Sequence, residues 1–555
     1  MNAAVVALGA LALFVLAYRY YGTHLAKKVY DLNDANSVPS HTFKDGVDYV
    51  PTKIPVLWGH HFTTIAGAAP IVGPAIAVIW GWVPALLWVV FGTIFIGAVH
   101  DFGALVVSSR HKGRSIGEVT NDLVGPRART LFLLVIFFLL LLVIAVFALV
   151  ISRLFIGFRG SVISVWSEVP LALIVGYLIY RKNSSPYLPA LISVAIMYFL
   201  AHVGTIYPFT MPAIFGTELM TWIVVLLAYA YAASTLPVGT LLQPRDFING
   251  VQLVIGVGAL YLAVFIMRPP IVAPAFNLGV QGAPLIIPFL FITIACGAIS
   301  GFHSLVSSGT TVRQIDRESH MKPVGYGGML GEGALATMAV LACTAGFATA
   351  AAWSQHYASW GTAAGKETAA FVRGGGYFLS TFGIPSALGT TILAVIVVSF
   401  AATTLDSATR IQRYIVSELA TAYKVPFLTQ KHPATLVAVI SAFLLARIDG
   451  GTGGLILWPL FGTTNQLLAA LALLTISLYL IKNKRPTLYT VIPMAFMLTM
   501  TVAAMVLNLR LYIQRQQWLL ASFGGVILIL AIWLVLEAVY GLRSARAASS
   551  TTLKA

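Results

Sequence analysis

The sequence predicts an all-α polytopic membrane protein with about 15 or more transmembrane helices, some of them broken within the bilayer. Three observations carry that class. The 555-residue chain is 59% hydrophobic and 9% charged, with a mean hydropathy of +0.88, whereas a soluble domain carries about 25% charge. Its apolar residues gather into runs of roughly 20, the length of a helix that crosses a hydrocarbon core. Some runs are interrupted by Gly, Pro and hydroxyl residues, which free backbone polar groups at membrane depth.

In chain order the runs fall at 2–18, 61–78, 84–108, 131–152, 163–180, 187–206, 218–235, 249–267, 284–302, 326–351, 386–408, 434–447, 454–481, 488–508 and 517–541. The first lacks a basic leader and a cleavage site, so it reads as a retained helix. The run at 434–447 is short for a crossing, and the Gly-rich stretch 368–384 has the character of a re-entrant piece. Placing the 19–60 loop inside and alternating from there puts 26 of the 34 Lys and Arg on the inside. The positive-inside rule then sets the N-terminus outside and the C-terminus in the cytoplasm. The net charge of +16 is thereby a topology signal, and no nucleic-acid partner is expected. The chain divides into an N-terminal helix and loop (1–60), a core (61–481), and C-terminal helices with a tail (482–555).

Cys296 and Cys343 both lie in apolar runs, without the spacing of a disulfide framework or a metal site. No cofactor is expected, and the metal question stays open. Walker, G-x-S-x-G, H-E-x-x-H and dinucleotide motifs are missing from the sequence, so it does not read as an enzyme or as a user of ATP.

Six constellations hold the chemistry, with the intramembrane charges Asp101 and Glu332 taken together as one. Gly59–Pro74 begins an apolar helix and interrupts it at Gly67, Pro70, Gly73 and Pro74. Such a break offers carbonyls to a cation and amides to a carboxylate; the bland alternative is a kink for close helix packing. Cys296–Arg313 dissolves a second helix into glycines, His303 and the hydroxyls Ser300, Ser304, Ser307, Ser308, Thr310 and Thr311. A capped helix C-terminus is its alternative. Ser399–Arg410 sets Asp406 beside Thr403, Thr404 and Ser407, which suits a proton or small cation. Its alternative is an i, i+4 pair of Asp406 with Arg410. Asp101 follows His100 inside an apolar run, about 100° away around a helix, so the two need not touch. Glu332 sits near a cytoplasmic helix end, either functional or simply solvated. His60–His61 is a metal or pH site, or else an interfacial cap. Leu457–Leu468 adds Thr463, Thr464, Asn465 and Gln466 after Pro459, as a gate or a helix contact.

Gly59–Ala77, Ser307–Ile315, Thr404–Tyr414 and Trp458–Leu467 resemble blocks of the carbon starvation protein A family, and the likeness extends over roughly residues 20–510. The resemblance implies a bacterial inner-membrane secondary transporter for nutrient scavenging under starvation stress. It implies proton-coupled pyruvate uptake or, alternatively, peptide uptake. It also implies membership of the amino acid–polyamine–organocation superfamily, and with it the leucine-transporter-like inverted-repeat core with broken helices. In sodium-coupled relatives of that fold, a cation sits between the broken first helix and hydroxyls of the eighth. By helix order these positions correspond to carbonyls near Ala66–Ala69 and to Thr403, Thr404 and Ser407.

The expected substrate is a small carboxylate, pyruvate first, bound at Gly67, Ala68, Gly73, Ser300, His303, Ser304, Ser307 and Ser308. The expected coupling species is a proton or sodium, held by Ala66, Thr403, Thr404, Asp406, Ser407 and Asp101. The rival classes are a channel, which needs a continuous polar pore, and a nutrient sensor.

Overall fold

The structure is a computed structural model describing residues 1–46, 48–182, 184–451 and 453–552. Among the described residues β-structure is limited to three isolated bridges, and everything else regular is helical. Because a chain in hydrocarbon must satisfy its backbone hydrogen bonds within each segment, helices are the form that these apolar runs adopt.

The helices are α1 (Ala3–Val29), α2 (Ile54–Ala66), α3 (Ala69–Trp80), α4 (Trp82–Arg110), α5 (Ile116–Leu123), α6 (Pro126–Gly157) and α7 (Ser161–Tyr180). They continue with α8 (Tyr187–Ile206), α9 (Glu218–Thr235), α10 (Leu242–Met267), α11 (Ile286–Thr293), α12 (Gly301–Gly309) and α13 (Glu318–Ala345). Then follow α14 (Ala350–His356), α15 (Glu367–Leu379), α16 (Ser386–Ala422), α17 (Lys431–Ala446), α18 (Gly453–Lys482), α19 (Leu488–Gln514) and α20 (Trp518–Thr552). The last residues of the tail, 553–555, lie outside the described residues.

Twelve of these helices are long and apolar enough to cross a membrane, and the bent pair α2–α3 makes thirteen. The expected fifteen shrinks at two places. The run at 284–302 divides into the short helices α11 and α12 around a non-helical stretch, and 434–447 becomes the 16-residue α17. At 1.5 Å per residue, neither is long enough to span alone.

Burial sorts core from rim. The apolar windows of α13 and α18 are 89% buried, whereas those of α19 and α20 are 33% and 28% buried. The rim shows lipid-type side chains outward, among them Ile529, Ile532, Trp533 and Leu536.

Both breaks have a residue-level cause. Gly67 holds φ +45° and ψ −155°, a region closed to side chains, and Pro70 then opens α3 where a missing amide costs nothing. The two half-helices meet at 45°. In the second break Gly297 takes φ +94°. A Cβ on Gly297 would come 3.4 Å from Pro70 Cα, and one on Gly73 would come 2.5 Å from the Thr293 carbonyl oxygen. The two breaks therefore interlock, glycine against backbone.

Loops expected on one side do gather at one end. Arg110 bridges Glu318 at 2.9 Å, His41 bridges Asp316 at 2.9 Å, and Arg485 reaches Asp31 at 2.5 Å. At the other end the Ala3 amide donates to the Pro269 carbonyl, Trp82 to Pro274 and Trp360 to Gln281.

Candidate functional site

Two buried polar centres flank the interlocked breaks. The first is built on the α2 side. Thr403 and Thr404 of α16 direct their hydroxyls at the carbonyls of Thr63 and Thr64, each at 3.4 Å, and Thr403 also donates to the Phe400 carbonyl at 2.9 Å. The Thr404 hydroxyl fills the space that a Cβ on Gly67 would need, at 2.6 Å. The broken first helix and the hydroxyls of α16 thus share one place, through carbonyls slightly before the expected Ala66–Ala69. Ala66 and Ala68 are buried beside them.

Next along α16, Asp406 enters an ion cluster. Arg245 of α10 donates to Asp406 Oδ2 at 2.5 Å, to Glu168 of α7 at 2.9 Å and to the Tyr229 hydroxyl of α9 at 2.7 Å. Tyr229 in turn donates to Asp406 at 3.1 Å. Burying one guanidinium with two carboxylates is tolerable only because the planar fork donates to several acceptors at once. The i, i+4 alternative for Asp406 is overturned: Arg410 instead donates to the carbonyls of Ala233 and Leu236. Ser407 and Arg410 line a small cavity with His60, Arg313 and Gln314.

The second centre is built on the α12 side. Asp101 of α4 accepts from His100 Nδ1 at 2.7 Å and from His303 Nδ1 at 2.9 Å. On the far side of the same ring, His303 Nε2 lies 3.3 Å from Glu332 Oε2. Glu332 Oε1 accepts the amide of Gly297, in the second break, at 2.9 Å. Adjacent residues thus do touch at His100–Asp101, because the side chains bend toward each other. Glu332 is fully buried, which overturns the solvated reading.

The hydroxyls of α12 are largely spent on their own helix. Ser304 donates to the Gly301 carbonyl and Ser308 to that of Ser304. Ser307 Oγ is buried with no hydrogen-bond partner among the described residues. The start of α12 is capped by Asn465 of α18, whose Oδ1 accepts the Phe302 amide at 2.9 Å, while its Nδ2 donates to Ser300 Oγ at 3.0 Å. This gives Asn465 a structural use at the second break.

His60 and His61 are buried, not interfacial. His60 donates to Asp246 at 2.6 Å, and His61 Nδ1 meets the Thr311 hydroxyl at 2.9 Å. Among the described residues no group of His, Cys, Asp and Glu is arranged to hold a metal ion.

Glu168, Tyr229, Arg245, Asp246 and Asn465's capping role are additions from the structure. Glu168 was visible as a lone carboxylate inside an apolar run. Arg245 reads as a loop charge because it precedes the apolar run, yet α10 begins at Leu242 and buries both Arg245 and Asp246.

Paired broken helices around buried charge, inside a bundle of membrane-length helices, define a multi-pass membrane protein of the transporter class. A family profile described as "Carbon starvation protein CstA" matches residues 2–362 and 346–504, and the chain belongs to that family. It is 33% identical to a peptide transporter CstA of Campylobacter jejuni, over 90% of this chain and 80% of the relative. The peptide transporter CstA of Bacillus subtilis is also 33% identical, over 90% of this chain and 89% of the relative. The pyruvate/proton symporter BtsT of Escherichia coli is 32% identical, over 91% and 81%. In fold, the chain resembles a crystal structure of an Eremococcus coleocola manganese transporter bound to an aromatic bis-isothiourea substituted compound. The TM-score is 0.52 at 10% identity, covering 90% of this chain and 99% of that one.

Proposed function

We propose that the protein is a secondary transporter that imports a small carboxylate, pyruvate first, in symport with a proton. The observation that carries this reading is the meeting of two helix breaks beside two buried charge centres, which a packing bundle has no use for. The kinship to a pyruvate/proton symporter supports the substrate and the proton. Kinship to the peptide transporters supports the second reading, short-peptide uptake.

The substrate carboxylate binds at the breaks, using Gly67, Ala68, Gly73, Ser300, His303, Ser304, Ser307 and Ser308. A half-helix N-terminus favours an anion through free amides and the helix dipole. The Ser307 hydroxyl, buried without a partner among the described residues, is a donor in waiting. Coupling involves Ala66, Thr403, Thr404, Asp406 and Ser407 beside the first break and the ion cluster, and Asp101 in the second centre. Rocking of the bundle that carries α2, α3, α11 and α12 opens the site to each face in turn. The protein works in the bacterial inner membrane with its C-terminus in the cytoplasm.

Uptake in proteoliposomes tests the reading. Labelled pyruvate and labelled dialanine are compared under an inward proton gradient and under an inward sodium gradient. Proton-driven pyruvate accumulation is expected. Dialanine accumulation alone would replace the substrate, and passive equilibration without counterflow would establish a channel.

A further inference from the structure

We infer that the coupling proton is carried by Glu332, in a chain Asp101–His303–Glu332 that connects its charge to the second helix break. The inference rests on the proton-symport reading and places the proton on the carboxylate across His303 from Asp101, one of that reading's coupling residues.

Three facts place it there. First, both ring nitrogens of His303 face carboxylates: Nδ1 donates to Asp101 at 2.9 Å, and Nε2 stands 3.3 Å from Glu332 Oε2. A neutral imidazole has one N–H, so two ionised carboxylates require an imidazolium between them. That arrangement has an excess of one negative charge, which one added proton cancels. Second, neither Glu332 Oε2 nor His303 Nε2 has an aligned hydrogen bond among the described residues, although both residues are fully buried. Asp101 is different, because both of its oxygens already accept a hydrogen bond. Asp406 also has a free oxygen, Oδ1, but its Oδ2 is held by the permanently charged Arg245 and by Tyr229, and that guanidinium opposes protonation. Within the Asp101–His303–Glu332 group, Glu332 Oε2 is the carboxylate oxygen without a hydrogen-bond partner among the described residues. Third, Glu332 Oε1 accepts the Gly297 amide at 2.9 Å, and the Gly297 carbonyl accepts the Thr93 hydroxyl at 2.9 Å.

Other polar groups surround the chain. From α4 come His100 and Thr93, from α2 comes His61, whose Cδ2 lies 2.8 Å from where a Cβ on Gly328 of α13 would be, and from the break comes Cys296. Among these, the carboxylates are Asp101 and Glu332.

The consequence is mechanical. With Glu332 ionised, its charge strengthens the bond from the Gly297 amide and holds the break against α13. A proton added at Oε2 removes that charge. It weakens the Gly297 bond and the His303 pair together and releases α12 from α13. Loss of the proton re-forms both.

The test uses the full-length protein in proteoliposomes, with wild type beside Glu332→Gln. Glutamine keeps an acceptor for Gly297 and cannot titrate. The readouts are labelled-pyruvate counterflow, gradient-driven accumulation, and proton movement reported by an entrapped pH dye; dialanine replaces pyruvate if it is what the wild type moves. Glu332→Gln is expected to keep counterflow while losing accumulation and proton movement. A variant as proton-coupled as wild type overturns this inference alone. A wild type that accumulates substrate without moving protons overturns proton symport, and this inference with it. A second measurement needs no variant: dicyclohexylcarbodiimide, which reacts with protonated carboxyls in apolar surroundings, is applied to wild type and mapped by mass spectrometry. Labelling at Glu332 that rises at acid pH is expected, and labelling of other buried carboxylates without Glu332 refutes it.

Discussion

Arg245 is the residue on which the most buried charge depends. It joins Glu168 on α7, Tyr229 on α9 and Asp406 on α16 from its place on α10. Removing one partner from a buried ion pair typically costs about 3–5 kcal/mol, because the other charge is left without compensation. Arg245→Leu strands two carboxylates, so its melting temperature in detergent should fall well below wild type and its uptake should vanish. An unchanged melt would mean that the cluster contributes nothing to folding. Sequence reading caught Asp406 and Asp101 because a carboxylate in an apolar run is conspicuous. It named His100, His303 and Glu332 without pairing them and missed Arg245 altogether, because pairing is a long-range fact. Arg245 and Asp406 are separated by 161 residues and His61 and Thr311 by 250, and no local pattern connects them.

Among the elements, the breaks were the most legible feature, since Gly and Pro act through the local backbone. The interlocking of the two was not legible, because it depends on how α3 lies against the end of α11. The Asn465 cap belongs to the same class, contributed by a third helix. Gly67 is the position where backbone and packing agree. A side chain there meets both a positive φ and the Thr404 hydroxyl. Gly67→Ala should destabilise by roughly 1–3 kcal/mol from strain of this kind and should abolish transport. Gly9→Ala on α1, where a Cβ meets nothing within 4 Å, should leave transport intact and stabilise by up to about 1 kcal/mol. Equal effects in a thermal melt would show that general helix propensity, not the break, decides.

Across the whole molecule, the loops of one end form a latch. The Ser319 backbone amide donates to Asp34 and holds that carboxyl below the ordinary aspartate range, and His41 does the same for Asp316. Both carboxyls are lowered, so their contribution is present above the ordinary aspartate pKa and is lost as pH falls through the folded-state values. The Ser319 amide should therefore be protected from hydrogen exchange at about pH 6 and lose protection only on acidification well below the ordinary aspartate pKa of about 3.9, after correction for intrinsic rates. Equal protection at both would show that the latch does not depend on these carboxylates. The overall class and the gathering of loops at one end were legible from composition and the distribution of Lys and Arg. The number of crossings was not, because an apolar run does not reveal where its helix stops.

The ion cluster also sets a problem of timing during synthesis. Glu168 leaves the ribosome 77 residues before Arg245, a wait of about 4–15 s at typical elongation rates of 5–20 residues per second. Asp406 follows Arg245 by 161 residues. An acidic side chain at the centre of a lone helix costs about 2.5–3.5 kcal/mol to insert. The apolar remainder of α7 must offset that cost until α10 brings Arg245 to Glu168.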